Sequence, residues 1–359
     1  MIRKVLMLIV YVSFMNVTWA QAPKYSNEFL MLGVGARGLA MSNTQTAIVG
    51  DATAGYWNPG GLANLGSDYQ VSLMHSEYFA GIAKYDYGAF AMRIDTSSVI
   101  GLSIIRFGVD NIMNTTDLID NQGNIDYNRI TTFSAADYGF LISYAKKSKI
   151  PGLQYGANVK IIYRQIGSFA HAWGFGIDVG AQYQLKKWKF GVMVKDITST
   201  FNAWSFDLND KMKETFVATG NELPSNSLES TLPRLILGAG RGFKISNSFS
   251  LLAALDLDLT FDGKRNVLIR SNPISIDPHL GLEIGYKNIV FLRGGAGNIQ
   301  DEKDMSGKSM KTFQPNVGLG VKIKKMITID YALTNIGKSG IALNSNVFSL
   351  RVDLDKKSK

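Results

Sequence analysis

The stretch WGFGIDVGAQYQL, residues 173–185, alternates strictly between two kinds of residue. Its odd-numbered positions are apolar or aromatic, from Trp173 to Leu185, whereas its even-numbered positions are glycine, glutamine or Asp178. Because successive side chains of a β-strand point to opposite faces, this pattern predicts a strand with one apolar face and one small or polar face. The run is much longer than the ~5–6 residues usual for a strand in a soluble domain.

The same alternation returns in residues 154–164, 316–324 and 347–354. In each stretch the polar face mixes glycine or other small residues with charged residues. A soluble sandwich would turn such apolar faces toward a shared core. Long strands with a glycine-rich polar face instead favour a transmembrane barrel, whose apolar side meets lipid and whose closed sheet has no free edge.

Fourteen segments of the sequence are candidate strands, and an even number is typical of bacterial outer-membrane barrels. They are residues 69–79, 82–94, 99–109, 132–146, 153–166, 170–185, 188–199, 233–244, 248–261, 274–286, 289–298, 314–324, 326–336 and 346–354. The predicted fold class is therefore all-β, a 14-stranded antiparallel transmembrane barrel.

The lengths of the connections agree with this count. If both termini lie in the periplasm, the odd-numbered connections face outward, and those are the ones that can be long. The long connections follow strands three, seven, nine and eleven, and they are residues 110–131, 200–232, 262–273 and 299–313.

Two further groups of residues fit a barrel. Aromatic side chains are expected as belts at the two membrane interfaces, although aromatic residues are also simply good strand formers. Charged residues on the polar faces are expected to pair inside the lumen, because an unpaired buried charge is costly. The belt candidates are Tyr85, Tyr87, Tyr144, Tyr163, Trp173, Tyr183, Trp188, Tyr286, Phe291 and Tyr331, and the lumen candidates are Arg93, Lys160, Arg164, Asp178, Asp256, Asp258, Glu283, Asp330 and Arg351.

Residues 1–20 predict a secretory signal peptide, with Arg3 and Lys4 before an apolar run and a small residue, Ala20, at the cleavage site. The alternative is a membrane anchor, but the run is short for a span of ~20 residues. Cysteine is absent, which excludes disulfides and thiolate metal sites. The formal charge of +9 fits an anionic membrane surface or an acidic partner better than nucleic acid in an exported protein.

Gly33, Gly35 and Gly38 form the spacing GxGxxG, which can indicate dinucleotide binding. That motif requires a preceding strand, a following helix and an acidic residue ~20 positions later. Here the motif follows only the mature N-terminus, and Asp51 comes too early. No cofactor is therefore predicted.

Residues 21–66 instead predict a compact segment that precedes the barrel of residues 67–359. The segment is rich in glycine and alanine, which permits close packing against other backbone. Asp51 is a candidate N-cap of a short helical turn, and Asn58 and Pro59 would end that turn. We expect this hatch to lie in the mouth of the barrel.

At these residues the chain resembles the N-terminal hatch of the PorV/PorQ family, within the broader group of FadL-like outer-membrane proteins. The matching positions are Phe29, Leu30, Gly35, Ala36, Arg37, Asp51, Ala52, Trp57, Asn58, Pro59, Gly61 and Leu62, and the hatch motif also includes Gly33. The chain departs from the family in "LAMSNTQTA" and in its end, "RVDLDKKSK", which lacks a terminal aromatic residue. The resemblance implies a FadL-like barrel in a Gram-negative outer membrane, with the hatch in its lumen.

The resemblance also implies a non-enzymatic scaffold or docking component of type IX secretion or a related assembly complex. Its partners would be outer-membrane lipid and proteins such as a translocon, a surface-attachment enzyme or assembly subunits, with the barrel itself monomeric. The candidate partner-binding residues lie in the long connection 200–232, namely Phe201, Trp204, Phe206 and Phe216.

The alternative is a FadL-like transporter of hydrophobic small molecules. It would need a continuous apolar pocket between the outer loops and the hatch, bounded by Met31, Leu32 and Trp57, and an opening in the wall. Catalysis is not predicted, because His75 and Ser76 are strand neighbours that face opposite ways and the other histidines have no metal-ligand spacing.

Overall fold

The computed structural model describes residues 26–119, 122–303, 306–336 and 344–356, so the predicted signal peptide lies outside the described residues. The strands all belong to one sheet. They are β1 (Tyr69–Tyr78), β2 (Ala83–Arg93), β3 (Ser98–Asn114), β4 (Thr131–Lys147), β5 (Leu153–Ile166), β6 (Ala170–Leu185), β7 (Trp188–Lys195), β8 (Phe201–Phe206), β9 (Ser227–Ser230), β10 (Arg234–Lys244), β11 (Phe249–Thr260), β12 (Ile269–Arg270), β13 (Ser275–Tyr286), β14 (Val290–Lys303), β15 (Ser309–Ile323), β16 (Ile327–Thr334) and β17 (Ser345–Leu354).

The sheet closes on itself. β1 pairs antiparallel with β2 on one side and with β17 on the other. β7 pairs with β10, and β11 pairs with β13, so β8, β9 and β12 are additions to a ring of the other fourteen strands. The predicted fold class, a 14-stranded antiparallel barrel, is confirmed.

The faces of the strands point as a barrel requires. On β6, Trp173 is 55% exposed on the outside, whereas Gly174 and Asp178 on the other face of the strand are buried toward the lumen. Leu292 and Leu319 lie opposite each other on β14 and β15, and both are about half exposed. The apolar faces therefore form the outer surface and do not meet in a shared core.

Short helical segments lie between the strands. The hatch contains the 3-10 turns Glu28–Met31 and Pro59–Asn64 and the α-helices Ala36–Ala40 and Ala54–Trp57. A 3-10 turn, Tyr127–Arg129, follows β3, and the helix Asp210–Ala218 lies between β8 and β9. Among the described residues, no helix is long and apolar enough to cross a membrane.

Two of the belt candidates belong inside the barrel. Tyr85 and Tyr87 on β2 are buried and join the core that the hatch residues Phe29 and Trp57 also form. Other candidates, such as Trp173 and Trp188, do lie exposed on the outside. The reason for the difference is that a lumen filled by an apolar hatch can bury aromatic side chains on its inner face.

The two ends of the barrel differ in their connections. One end, here called the short-turn end, carries turns such as residues 186–187 and 324–326, and both Tyr69 and Leu354 lie there. The opposite, long-connection end carries residues 115–130, the segment between β8 and β10, and residues 261–274. The predicted long connection 299–313 is mostly strand, since β14 runs to Lys303 and β15 begins at Ser309.

Candidate functional site: the hatch and a break in the barrel wall

The glycines of the GxGxxG motif serve the packing of the hatch. Gly33 and Gly35 have φ of 93° and 78°, in the region where side chains other than glycine are strained. A Cβ on Gly38 would lie 2.8 Å from the indole ring of Trp57. That indole donates a hydrogen bond to the carbonyl oxygen of Val34 at 3.0 Å. The motif thus packs a buried tryptophan against a tight turn.

Both charged residues of the hatch motif pair with the wall. The guanidinium of Arg37 donates to the carboxylate of Glu283 at 2.8 and 3.1 Å. Asp51 does not act as the N-cap of the helix that begins at Ala54, because the N-cap position belongs to Thr53. The Asp51 carboxylate instead accepts from the Thr53 backbone at 3.0 Å and from Arg351 at 2.9 Å.

Asn58 connects the hatch to two wall strands. Its side-chain amide donates to the carbonyl oxygens of Thr46 in the hatch at 2.8 Å, Ala181 of β6 at 3.0 Å and Val192 of β7 at 3.3 Å, and its side chain is fully buried. A Cβ on Gly180 would overlap the Asn58 carbonyl oxygen, so glycine in the wall makes room for this contact. The helix Ala54–Trp57 ends just before Asn58 and Pro59, as predicted, and Pro59 begins the 3-10 turn that follows.

The seventh strand of the ring is interrupted. β7 ends at Lys195, and the chain resumes as β8, which pairs with β6 from Phe201. Phe175 pairs with Phe201, and Val179 pairs with Val194. Between these pairs β6 has three residues, 176–178, whereas the opposite chain has six, 195–200. Ile197 keeps one backbone hydrogen bond to Ile177, at 2.9 Å. The prediction of a continuous strand over 188–199 was therefore wrong.

Two of the extra residues, Asp196 and Thr200, are buried, whereas Ile197 between them is 47% exposed. Asp196 and Ser199 have φ of 58° and 57°, and Thr200 is fully buried against Gly176, where a Cβ would overlap it. The chain that pairs with β7 and β8 is interrupted at the same level of the barrel. There β9 ends at Ser230, opposite Phe201, and β10 begins at Arg234, opposite Lys195. We call residues 176–178, 196–200 and 231–233 together the wall break.

Three buried charges hold the wall break in place. The ammonium of Lys160 lies 2.8 Å from the carboxylate of Asp178, and it also contacts Asp196. The backbone N–H of Asp196 donates to Asp178 at 2.8 Å. Lys160 and Asp178 are among the predicted lumen charges and pair as expected, but nothing in their sequence spacing marks them as a site.

The first described residues of the hatch lie against the wall break. Asn27 donates to the hydroxyl of Thr231 at 2.9 Å and accepts from Asn202 at 2.8 Å. Ser26 therefore lies toward the long-connection end, opposite Leu354. That the two termini of the mature chain share one side of the membrane remains a prediction, because both termini lie outside the described residues.

Only a small cavity separates the hatch from the wall break. Its volume is about 20 Å³, room for roughly one or two water molecules. Met31 lines it together with the charged residues Lys160, Lys195 and Arg234, and Lys195 lies over the ring of Tyr56 at 4.3 Å. The apolar pocket predicted from Met31, Leu32 and Trp57 is not formed in this conformation, since Trp57 is buried within the hatch.

The four aromatic residues of the candidate partner-binding loop do not form one surface. Phe201 is exposed on the outside of β8, whereas Trp204 is buried against Ala170 and Ala172 on the inside. Phe206 stacks on Trp204 with ring centroids 6.1 Å apart. Phe216 lies on the separate helix Asp210–Ala218. Because residues 201–206 form a strand, their side chains alternate between faces.

The histidine motif behaves as its strand position predicts. His75 is exposed on the outside and lies 2.7 Å from Asp86, whereas Ser76 is buried on the opposite face. Within the described residues, no group of three or more histidine, cysteine or acidic residues is placed to hold a metal ion.

Comparison with known proteins shows the fold. No protein-family model and no curated protein matches the chain. The toluene transporter TbuX of Ralstonia pickettii superposes with a TM-score of 0.55 at 15% identity, covering 90% of this chain and 98% of that one. The CymD monoaromatic hydrocarbon channel gives 0.57 at 12% identity, covering 91% and 99%. The toluene transporter TodX of Pseudomonas putida gives 0.55 at 13%, covering 90% and 98%. The chain therefore has the FadL-like barrel fold of these hydrocarbon transporters.

Proposed function

We propose that this protein is an outer-membrane channel for small hydrophobic molecules, with a route between the long-connection end and the wall break. The observation that carries the proposal is the break in the seventh strand beside Ser26 and Asn27, the first described residues of the hatch. The similarity in fold to hydrocarbon transporters and channels over about 90% of the chain supports it. Of the two functions that the sequence suggested, these findings favour transport over docking.

The outer surface supports a membrane location. The exposed side chains of the wall are mainly Leu, Ile, Val and aromatic residues, including Trp173 and Trp188. Such a surface is stable against lipid and costly against water. A barrel of this kind also satisfies its backbone hydrogen bonds internally, as a hydrocarbon environment requires.

The conformation described here is closed, so transport requires movement. The cavity of about 20 Å³ is too small for an aromatic hydrocarbon. At the wall break the closing contacts are polar, Asn27 with Thr231 and Asn202, and Ser26 with Glu229 at 3.2 Å, whereas the following Phe29 and Leu30 are buried in the apolar core. Withdrawal of Ser26 and Asn27 from the wall break would enlarge the cavity without breaking the ring of strands.

An engineered disulfide tests this route. The chain has no cysteine, so a pair introduced at Asn27→Cys and Thr231→Cys, whose native side chains are in contact, would be the only possible disulfide. Uptake of radiolabelled toluene is measured in Gram-negative cells that express the chain. We expect uptake to exceed that of cells with an empty vector, to fall to that level on oxidation of the double variant, and to recover on reduction.

The two single-cysteine variants are the controls, and their uptake should not respond to the oxidant. Transport by this route is refuted if wild-type cells take up toluene no faster than empty-vector cells. Full uptake by the oxidised double variant, with disulfide formation verified by mass spectrometry, would exclude the wall break as the gate.

A second candidate function, the docking role implied by the PorV/PorQ resemblance, is favoured by a different observation. Apolar side chains are exposed at the end of β3 and on the connection that follows it, namely Met113, Ile119, Ile125 and Tyr127, each at least 56% exposed. Such a cluster on a long loop fits a protein partner. Gentle-detergent purification from native outer membranes tests it: a stoichiometric co-purifying subunit that is lost on Met113→Asp and Tyr127→Asp supports docking, and recovery of the barrel alone counts against it.

A further inference from the structure

The short-turn end of the lumen opens into a basic cavity that transport of a neutral molecule does not require. Its volume is about 690 Å³, within the range of small-molecule sites. The hatch, the five wall strands β13 to β17 and two turns between wall strands line it. Of the acidic residues in the described parts of the chain, only Glu283 lines this cavity.

The arginines at the base of the cavity are already neutralised. Glu283 accepts from Arg37 at 2.8 Å and from Arg293 at 2.7 Å. Arg293 also donates to Asp330 at 2.7 Å. The two positive charges of these arginines are therefore balanced by the two negative charges of the carboxylates. Arg351 pairs with Asp51 in the same region. The carboxylates nearest the cavity are therefore occupied by arginine.

The lysines of the cavity have no such partners. Lys322 is half-buried on β15 and faces the lumen, between outward-facing Val321 and Ile323. Lys287 and the pair Lys324 and Lys325 lie on two neighbouring turns. Across residues 26–119, 122–303, 306–336 and 344–356, none of these four lysines makes an ion pair.

An adjoining cavity extends the basic surface toward the hatch. Its volume is about 460 Å³, and it shares Lys322 and Lys325 while adding Lys189 of β7. Three carboxylates also line it, Asp51, Asp353 and Asp355, against five cations, namely these three lysines, Arg37 and Arg351. Lys189 alternates with exposed Trp188 and Phe190 and so faces the lumen. Like charges brought together in a concave, partly desolvated space repel one another, and a bound anion relieves that repulsion.

We propose that these adjoining cavities bind an anion that carries phosphate and at least two negative charges. Lysine is a flexible point charge that commonly binds phosphate, whereas the arginines, which could form bidentate pairs, are engaged internally. The lysines are partly solvated, so one charge on a ligand would be screened and only a multivalent anion would bind well. The site lies at the opposite end from the wall break and does not depend on the proposed transport.

Isothermal titration calorimetry on the full chain in zwitterionic detergent at low ionic strength tests the proposal. The probes are inorganic pyrophosphate and dihexanoyl phosphatidic acid, with sodium chloride as the monovalent comparison. Pyrophosphate binding identifies a soluble phosphate compound as the ligand class, and binding of phosphatidic acid alone identifies a lipid headgroup. The double variant Lys322→Gln/Lys325→Gln should weaken binding roughly tenfold or more.

The matched control is Lys147→Gln/Lys149→Gln, which removes two exposed charges from the end of β4 and the turn after it, at the same end of the barrel but outside the cavity. Its affinity should stay within about twofold of wild type, because surface charges at a distance are screened. Both variants must retain the heat-dependent gel shift of a folded barrel. The proposal is overturned if neither probe binds the wild type, or if the two double variants weaken binding equally.

Discussion

The carboxylate of Asp51 accepts a hydrogen bond from the guanidinium of Arg351 at 2.9 Å, which ties the hatch to the last strand of the wall. Arg351 also donates to the hydroxyl of Thr328 at 3.1 Å, so its position is fixed by two strands. The pair closes the short-turn end of the hatch, while Asn27 closes the end at the wall break. A hatch held at both ends can release one end and stay anchored by the other.

The pair makes hatch docking sensitive to acid. Burial alone would raise the pKa of Asp51, but the charge of Arg351, hydrogen bonds from Thr53 and the charge of Arg37 outweigh burial and hold that pKa below its usual value of 3.8. The stabilisation is therefore complete above the unfolded pKa of about 4 and is lost as the pH falls through the lower folded pKa. Hydrogen exchange of the amides of residues 51–57 should be constant near neutral pH and should accelerate, after correction for intrinsic rates, only in strong acid.

Replacing Arg351 by glutamine should loosen the same segment at neutral pH. It leaves a largely buried carboxylate without its main partner, a change that costs on the order of 3 kcal/mol. We expect faster exchange over residues 51–57 in Arg351→Gln, with the wall strands β4 and β5 unchanged as an internal control. Equal protection in the variant and the wild type would show that Arg351 does not anchor the hatch.

Asn58 should be the residue whose loss frees the middle of the hatch. Asn58→Ala leaves the buried carbonyl oxygens of Thr46 and Ala181 without this donor, at about 1–3 kcal/mol. The expected result is intermittent ion conductance in planar bilayers, where the wild type should be closed. Asn64→Ala is the matched control, since exposed Asn64 makes one hydrogen bond, to Gln182 at 3.1 Å. Conductance that rises equally in both variants would contradict a special role for Asn58.

The sequence predicts the ring of strands well because lipid and a filled lumen impose a period of two residues on every wall strand. It does not predict the wall break, because residues 188–195 alternate normally and nothing before Lys195 signals an inward turn. The available signal is the segment from Asp196 to Thr200, polar except for Ile197, and it lies where a strand would ordinarily leave the membrane. Nor could it place Tyr85 and Tyr87, since the hatch that buries them is packed by contacts between distant residues.

Lys160 should stabilise the wall break. Lys160→Met leaves Asp178 and Asp196 buried together without a cation, which costs roughly 3–5 kcal/mol. The midpoint of thermal unfolding, followed by the gel shift of the barrel, should fall by several degrees. Lys84→Met is the control, because Lys84 and Asp110 form an exposed pair at 3.4 Å that contributes at most about 1 kcal/mol. A similar midpoint for the two variants would mean that the three buried charges do not hold the break.

The outward face of the wall gives a direct test of the membrane location. Leu319 lies on β15 opposite Leu292 and is 54% exposed, so an arginine there would project into the hydrocarbon core of a bilayer. We expect Leu319→Arg to destabilise the barrel in phospholipid vesicles, with the free energy of unfolding falling by about 2–4 kcal/mol. Met310→Arg, on an exposed position near the long-connection end of the same strand, should cost no more than about 1 kcal/mol because it lies near or beyond the interface. Denaturant titration of the vesicle-bound protein measures both values. If Leu319→Arg costs no more than Met310→Arg, the apolar surface does not face lipid, and the proposed channel loses its place in the outer membrane.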